Sequence, residues 1–571
     1  MKYIEYNKPF AIICKWNKST IYTWDIVEID LLNKIQNETI NIVPFSQVKE
    51  KKYEYIGEDL PILSLKAKNK IVVDKSDILE MDSSEIELDW DIESELDDKE
   101  YADVVERVIE DEIKNWEWPD FVISRKFYAK IKDFDIKKAF RLFQNLLLGE
   151  ENSYMTFIFY DGERCFVWAS PEQHLKVQDG MAYMSPISGS LPKSQIDKLD
   201  EFLLDQKERN ELFQVVDEGL KMMSVICSSW WDVKWPYLKE MNSIIHSEYY
   251  LRGKSVMDPI DALRASLFLC TVTWAPVENA FRIIKKHETK SRRYYAWVIV
   301  EKEEDLLDSA ILIRTVEIDS AWNVTLQAWA TIVEESDPMK EAIETNAKVL
   351  GMIKAIKWKI KKFERKLPEI SQERLESRNV NLSGFLFSRQ EKENIFSGVK
   401  AILLDNRDDF NFTLAHMLRN MWMTVNVVRS ENFKISDEDI VLIGPWPGNP
   451  NQMPELENIT ETILQSGKKV IWICLWHQMI AKSIWLNIVK KDKSTQWIMK
   501  KIDVFGKEYR FWLYNSFAPL YQELEGYQMS WRWKYVDVIK SENMYSMQFH
   551  PESIFSEYGY EFLRDVVSEL L

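Results

Sequence analysis

Apolar residues in the first hundred positions fall in short runs divided by charged stretches, which predicts short strands joined by acidic loops. The most acidic stretch, Asp82–Asp98, reads as a solvated connector. The period then changes. DKEYADVVERVIEDEI places its apolar residues at helical spacing and predicts a helix over Asp98–Ile113. Strand-like runs follow at Tyr154–Phe159, Cys165–Ala169, Ala182–Pro186, Tyr294–Val300, Ser309–Glu317 and Asn323–Val333. Helical spacing covers Asp197–Ile226, Asp258–Phe268, Val277–His287 and Pro338–Phe363. The stretch from Lys366 to Ser397 is polar and mixed, as a linker between domains would be. From Val399 onward apolar strands (VKAILLD, VNVVRS, DIVLIGP, KKVIWIC) alternate with helical segments. That alternation predicts a parallel α/β sheet with chemistry at the C-terminal strand ends.

A chain of 571 residues is too long for one core, so at least two domains are expected, over residues 1–366 and 398–571 with a linker at 367–397. The formal charge is −18, from 74 basic and 92 acidic residues, and no basic block stands out. Nucleic acid and anionic membrane are therefore poor partners. No apolar run is long enough to span a bilayer, and polar residues interrupt the N-terminal apolar run as they would not in a signal peptide. Five dispersed cysteines, with no C-x-x-C, fit a reduced cytoplasmic protein without structural zinc.

Two segments carry nucleophile chemistry. Cys474, in CLWHQ, lies at a predicted strand-to-helix turn; QFHPES follows with His550 and Glu552. A thiolate, a base and a carboxylate to orient the base are the parts of a cysteine nucleophile. Upstream, Glu208 and Glu211 stand at i, i+3 on a predicted helix, and so do Glu341 and Glu344, so each pair shows two carboxylates on one face. Taken singly, Cys474 reads best as a core cysteine and each glutamate pair as an exposed helix face. Arg314, inside the apolar run SAILIRT, must either meet an anion or be exposed.

In combination these segments resemble known families. CLWHQ with QFHPES, DNRDDFNFTLAHML (Asp405–Leu418) and GPWPGNP (Gly444–Pro450) resemble the class I glutamine amidotransferases. The resemblance implies that Cys474 is the nucleophile, His550 the base, Glu552 its orienting partner, and Gln478 and Gly448 substrate contacts, the Gly444–Pro450 loop being an oxyanion hole.

The preceding chain resembles chorismate-utilising enzymes of the anthranilate synthase component I type. The carrying segments are SPEQHL (Ser170–Leu175), PISGS (Pro186–Ser190), DQKERNEL (Asp205–Leu212), TVTWAP (Thr271–Pro276), SAILIRT (Ser309–Thr315) and SDPMKEAIETNAK (Ser336–Lys348). VVDEGLKMM (Val215–Met223), WWDVKWPYLKEM (Trp230–Met241) and HSEYYL (His246–Leu251) resemble the phenazine-type 2-amino-2-deoxyisochorismate synthases in particular. An α+β synthase domain followed by an α/β amidotransferase domain is implied, with chorismate and glutamine as substrates, Mg²⁺ as cofactor and a homodimer as the assembly. Glu211 and Glu344 would be direct Mg²⁺ ligands, with Glu208 and Glu341 acting through water. Arg314 and Tyr294 or Tyr295 would hold a substrate carboxylate. Thr271 and Gly189 would line the site, with Lys348 and Glu172 beside it and His246 transferring a proton. Ser188 stands where aminodeoxychorismate synthases have lysine, which argues against that product, and no L-L-E-S segment is present for tryptophan feedback. Anthranilate, formed by a further pyruvate elimination, stays open as the product; so does a non-catalytic binding module.

Glycine and tryptophan usage is anomalous. The chain has 16 glycines where about 40 would be ordinary, and 23 tryptophans. Tryptophan occupies family glycine positions at Trp116, Trp118, Trp168, Trp230, Trp231, Trp235, Trp274, Trp297, Trp329, Trp422, Trp446, Trp476 and Trp485, with Trp322 and Trp512 in the same set. Decay would scatter many residue types and would not spare the candidate catalytic residues. A codon read as glycine by the organism but written as tryptophan, UGA being the natural candidate, accounts for a one-way change. It predicts overpacked sites around Trp274, Trp329, Trp446 and Trp476.

Overall fold

The computed structural model describes residues 4–571 except 115–119, 134, 151, 228, 243, 268–269, 275–276, 358–366, 369–371, 407 and 447. Trp116 and Trp118 thus lie outside the described residues. The chain forms two compact units: Met1–Val215 with Trp235–Tyr250 and Met257–Leu375, and Val216–Lys234 with Leu251–Val256 and Glu376–Leu571. Two short segments from the interior of the first sequence region therefore belong to the second unit, which hydrophobic periodicity cannot reveal.

The first unit is built on two antiparallel sheets. One runs in the order Asn69–Asp74, Lys18–Thr23, Phe10–Lys15, Met155–Tyr160, Cys165–Ser170, Thr315–Ile318, Asn323–Val333, Asp120–Ile131, Leu88–Ser94. The other includes Ile187–Pro192, Ile244–Lys254, Gln173–Gln178, Leu306–Ile311, Val298–Lys302 and Thr39–Val43. Period-two alternation separates two cores. In Phe10–Lys15, Ala11 and Ile13 join Ile40, Ile42, Ile299 and Ala310 between the sheets. Phe10, Ile12 and Cys14 face the opposite way, into a layer with Phe140, Phe143 and Met352. Those last three come from the helices Ile136–Gly149 and Pro338–Ile356, the second capped by the Asp337 carboxylate with proline in its first turn.

Four expectations change. The acidic stretch is no mere connector, since Leu88–Ser94 forms the edge strand beside Asp120–Ile131. The Asp197–Ile226 helix is interrupted at Asp205, whose extended backbone (ψ 127°) separates Leu199–Leu204 from Gln206–Ile226. The single strand expected over Ser309–Glu317 is two, Leu306–Ile311 and Thr315–Ile318, which lie in different sheets. The chain crosses between layers at Leu312–Arg314, so Arg314 sits in a turn at φ 59° and not within a strand. Strand Val298–Lys302 likewise begins after a turn that holds Tyr294 and Tyr295.

The second unit holds a seven-stranded sheet in the order Thr424–Arg429, Lys400–Asp405, Ile440–Ile443, Lys469–Ile473, Met544–Met547, Tyr535–Ser541, Gln528–Arg532. The first five are mutually parallel, and Tyr535–Ser541 runs antiparallel to both of its neighbours, Met544–Met547 and Gln528–Arg532. Lys469–Ile473 and Met544–Met547 are neighbours, with Ile473 opposite Met547. Cys474 and the His550 turn therefore leave adjacent strands at the same sheet edge, which brings together residues distant in sequence. Among the described residues no helix is long and apolar enough to cross a membrane.

Candidate active sites

Cys474 caps the helix Leu475–Ser483 with φ 58° and ψ −111°. This is a sharp strand-to-helix turn of the kind that presents a nucleophile at a sheet edge. Its N–H donates to Met547 O at 2.9 Å, and its sulfur lies 3.8 Å from Tyr514 O. His550 is buried; its Nδ1 lies 2.7 Å from Glu552 Oε1, and its N–H donates to Trp512 O at 3.1 Å. Burial alone would disfavour imidazolium, but Cys474 and Glu552 together lift the His550 pKa well above its ordinary value. With Glu552 Oε1 on Nδ1, His550 Nε2 is buried without a hydrogen-bond partner and feels the Cys474 sulfur. The three parts of a cysteine nucleophile are thus assembled.

Gln478 donates through Nε2 to Phe517 O and to Gln548 Oε1, both at 2.9 Å, while its own Oε1 is buried without a partner. Neighbouring His477 is structural: it bridges Ser546 Oγ and Val536 O, and burial pushes its pKa down to about 4. Gly448, in the loop after Ile440–Ile443, has φ 158°, and a Cβ there would push against the Met453 thioether at 2.4 Å. The indoles of Trp446, Trp472 and Trp476 pack in one group beside this loop and the nucleophile helix, with ring centroids 6.3 and 6.1 Å apart. Trp472 and Trp476 are fully buried with unpartnered Nε1 atoms.

In the first unit, His246, Gly189, Arg314 and Tyr295 come together. His246 Nδ1 lies 2.7 Å from Gly189 O, which makes Nδ1 the protonated nitrogen, and Nε2 lies 3.4 Å from Arg314 Nη2. Burial and the Arg314 charge hold the His246 pKa down to about 3, so the ring is neutral with its lone pair on Nε2. Gly189 has φ 71°, a conformation that favours glycine, and a Cβ there would also meet the Glu208 carboxylate at 2.7 Å and the Phe202 ring at 3.0 Å. The Tyr295 hydroxyl is buried without a partner and feels Arg314. Tyr294 leaves the set: it lies in the intersheet core against Phe166, and its hydroxyl donates to Pro61 O at 2.9 Å.

Glu172 is buried and strongly biased to the neutral acid, against the opposing effect of bonds from the Ile187 backbone and Thr271. Lys348 reaches Glu344 Oε1 at 2.8 Å and Trp329 O at 2.9 Å, and Glu341 accepts from Ser336 Oγ at 2.8 Å. Four carboxylates, Glu208, Glu211, Glu341 and Glu344, fit a hard cation in kind. Among the described residues, however, no group of three or more His, Cys, Asp or Glu side chains is arranged to hold a metal ion. Trp274 and Trp329 pack with Val122, Val215 and Cys270 in the neighbourhood of Thr271 and Lys348. One carboxylate escaped sequence reasoning: buried Glu150, which accepts from Asn242 N at 3.2 Å and faces the Arg314 charge. A lone glutamate ending an apolar helix offers no pattern by which to find it.

Among the described residues, six tryptophans have a positive φ: Trp16, Trp274, Trp322, Trp422, Trp485 and Trp533, with φ from 58° to 81°. Trp168 has a different difficulty: its ring centroid is 3.2 Å from that of Phe157, where aromatic pairs keep about 4.5–7 Å.

A nucleophile turn on a parallel sheet and a separate two-sheet unit that brings Arg314 to buried His246 and Tyr295 define a glutamine amidotransferase joined to an α+β synthase. The chain belongs to the chorismate-binding enzymes with a class I glutamine amidotransferase: the model of chorismate binding enzyme matches residues 60–354, and that of glutamine amidotransferase class-I matches residues 402–570. It is 34% identical over 564 residues to the phenazine-specific anthranilate synthase of Pseudomonas chlororaphis, covering 94% of this chain and 88% of that one. Its identity to the phenazine-specific anthranilate synthase of Pseudomonas fluorescens is 33% over similar spans. The menaquinone-specific isochorismate synthase MenF of Escherichia coli shares the fold at a TM-score of 0.52 and 16% identity, over 62% of this chain and 89% of that one.

Proposed function

We propose that this chain uses glutamine to aminate chorismate and that its product is 2-amino-2-deoxyisochorismate. The similarity to phenazine-specific relatives along 94% of the chain carries this reading. The synthase function falls to residues 1–366 and the amidotransferase function to 398–571, with 367–397 between them.

The Cys474 thiolate attacks the glutamine side-chain carbonyl. His550 gives its proton to the departing nitrogen, and a thioester and ammonia result. His550, oriented by Glu552, then takes a proton from water, which hydrolyses the thioester to glutamate. Gln478 and the Gly444–Pro450 loop position the amide and its oxyanion. In the synthase, ammonia adds at C2 of chorismate, the double bonds shift and the C4–O bond breaks. Arg314 and Tyr295 hold a substrate carboxylate. Neutral His246 takes the proton shed by the adding nitrogen and passes it to the leaving hydroxyl, so ammonia and chorismate give product and water. Mg²⁺, held by Glu211 and Glu344 with Glu208 and Glu341 through water, would polarise the ring carboxylate. A cytoplasmic homodimer completes the reading.

Mass spectrometry of the product from chorismate, glutamine and Mg²⁺ tests it. Anthranilate and pyruvate would assign the anthranilate synthase reaction instead. No turnover by protein with glycine at the tryptophan positions would favour a non-catalytic module, a reading for which the indoles packed beside Cys474 speak.

A further inference from the structure

The segment Asp217–Lys221 of the helix Gln206–Ile226 belongs to the second unit and packs on the turn that carries His550. Asp217 is buried; its Oδ2 accepts from Ser553 Oγ at 2.7 Å and its Oδ1 from Ile554 N at 3.1 Å. Ser553 is fully buried, its N–H donates to His550 O at 3.4 Å, and its Oγ accepts from Phe555 N at 3.3 Å. One carboxylate thus grips two consecutive residues directly after the His550–Glu552 pair. One turn further along, Lys221 pairs with Glu218 at 2.5 Å and lies 4.3 Å over the Phe410 ring, whose centroid is 5.7 Å from that of His550.

We propose that Asp217 is a positioning residue for glutamine hydrolysis: by holding Ser553 and Ile554 it fixes the turn that aims the His550 imidazole at Cys474. This rests on the amidotransferase reading. A carboxylate suits the task because it presents two acceptors to two donors, whereas asparagine would turn an N–H toward one of them. Burial pushes the Asp217 pKa up to about 7. Burying a carboxylate beside Glu218 is unfavourable, so a residue of this kind needs a strong positional reason to be there.

The test compares Asp217→Asn, Asp217→Ala and Ser553→Ala with the parent full-length protein. A displacement of the imidazole by about 1 Å costs roughly 10²-fold in rate. We expect kcat for glutamine hydrolysis to fall about 10- to 100-fold, KM for glutamine to change less than about 3-fold, and the rate of Cys474 alkylation at fixed pH to fall as the His550 imidazole moves away. Asp217→Asn should keep part of the activity that Asp217→Ala loses, and the Asp217→Ala/Ser553→Ala double variant should lose less than the product of the single losses. An unchanged kcat and alkylation rate in Ser553→Ala, which removes only a hydroxyl, would overturn the proposal. So would a loss confined to thermal stability. Loss of glutamine hydrolysis in Asp217→Ala with Cys474→Ala still active would instead sink the amidotransferase reading on which it rests.

A separate observation carries a second inference, from backbone geometry alone. Two helices end in the same way. After Phe410–Asn420, Trp422 N donates to Arg419 O at 3.2 Å and Met423 N to Leu418 O at 3.2 Å. After Leu475–Ser483, Trp485 N donates to Lys482 O at 3.0 Å and Leu486 N to Ala481 O at 2.9 Å. Both are Schellman ends, and the left-handed residue, normally glycine, is tryptophan. Trp16 and Trp533 are the first residues of two-residue hairpin loops, at φ 58° and 62°, where a II′ turn takes glycine. We infer that Trp16, Trp274, Trp322, Trp422, Trp485 and Trp533 are glycine in the protein its organism makes, which adds Trp16 and Trp533 to the set read from motifs. Peptide masses of the native protein test this, with UGA codons at the six positions as the genetic counterpart. Masses for glycine at these positions support it; tryptophan at Trp422 and Trp485 in native protein would overturn it.

Discussion

Replacing Trp422, Trp485 and Trp533 together by glycine should stabilise the second unit, although three large apolar side chains are deleted. Each holds φ between 62° and 71°, and a left-handed backbone costs a residue with a Cβ about 1–2 kcal/mol. Glycine returns that cost but adds about 0.4–1 kcal/mol of unfolded-chain entropy. The net gain is about 0.5–1 kcal/mol per site, hence about 1.5–3 kcal/mol for three independent sites. Packing does not cancel it, since Trp485 is 88% and Trp533 97% exposed, and Trp422 is half out of the surface. For a unit of this size each kcal/mol moves Tm by about 2–4 °C, so the triple variant should melt about 3–12 °C higher. The assay is thermal and urea unfolding of the full chain, scored on the transition of the second unit. Trp24→Gly is the control: Trp24 is also partly exposed, but its φ is not positive and Lys68 sits 3.9 Å over its ring. It should lower or leave unchanged the midpoint of its own transition. A triple variant that melts no higher than the parent would refute the argument.

The remaining predictions concern turnover. Cys474→Ala should abolish glutamine-driven turnover and spare turnover driven by added ammonium, measured by coupled product formation; loss of both would show that Cys474 serves structure. Glu211→Ala or Glu344→Ala should remove synthase activity with either nitrogen source, and full ammonium-driven activity in EDTA would exclude the metal assignment. His246 has its pKa held down to about 3, so it is neutral in the fold from about pH 4 upward. A depressed pKa gives stability that is present above the unfolded value of about 6.5 and drains as pH falls toward 3. Hence the ammonium-driven rate of the folded enzyme should show no limb near pH 6.5 from this residue, while His246→Gln should flatten the acid side of the stability profile. Glu150→Gln should raise KM for chorismate no more than slightly if Glu150 only balances Arg314; a large rise would place it against substrate.

Much of the fold was legible because periods of two and of 3.6 register directly as buried faces. Phe10–Lys15 divides its residues between two cores in strict alternation, and the parallel strand leading to Cys474 is a continuous apolar run after its first residue. What periodicity could not show was a change of layer. SAILIRT is as apolar as any strand, yet the chain leaves one sheet at Ile311 and enters the other at Thr315. Tyr294 and Tyr295 were inseparable for a related reason: in a turn, neighbouring side chains diverge, and only coordinates tell which meets Arg314. Asp217 stood within a motif already matched by resemblance, but an acid on a helix reads as exposed until its partner, more than three hundred residues on, is placed against it.

At Cys474, Arg314 and the exposed tryptophans a positive φ has two meanings, and chemistry separates them. At Cys474 the strain (φ 58°) lies between a strand and a helix, the sulfur is the proposed nucleophile, and a cost of about 1–3 kcal/mol would fix its direction at the end of the strand. Arg314 at φ 59° is similar, because the turn delivers a guanidinium to His246 and Tyr295. At Trp16, Trp485 and Trp533 the same backbone carries an indole outward into solvent, where it orients nothing. Strain maintained at a reactive group is the expected mark of a working site; strain at an exposed turn whose hydrogen bonds form a glycine motif marks the wrong side chain. By that criterion Cys474 and Arg314 carry strain that the proposed chemistry uses, and Trp16, Trp485 and Trp533 carry strain that glycine would relieve.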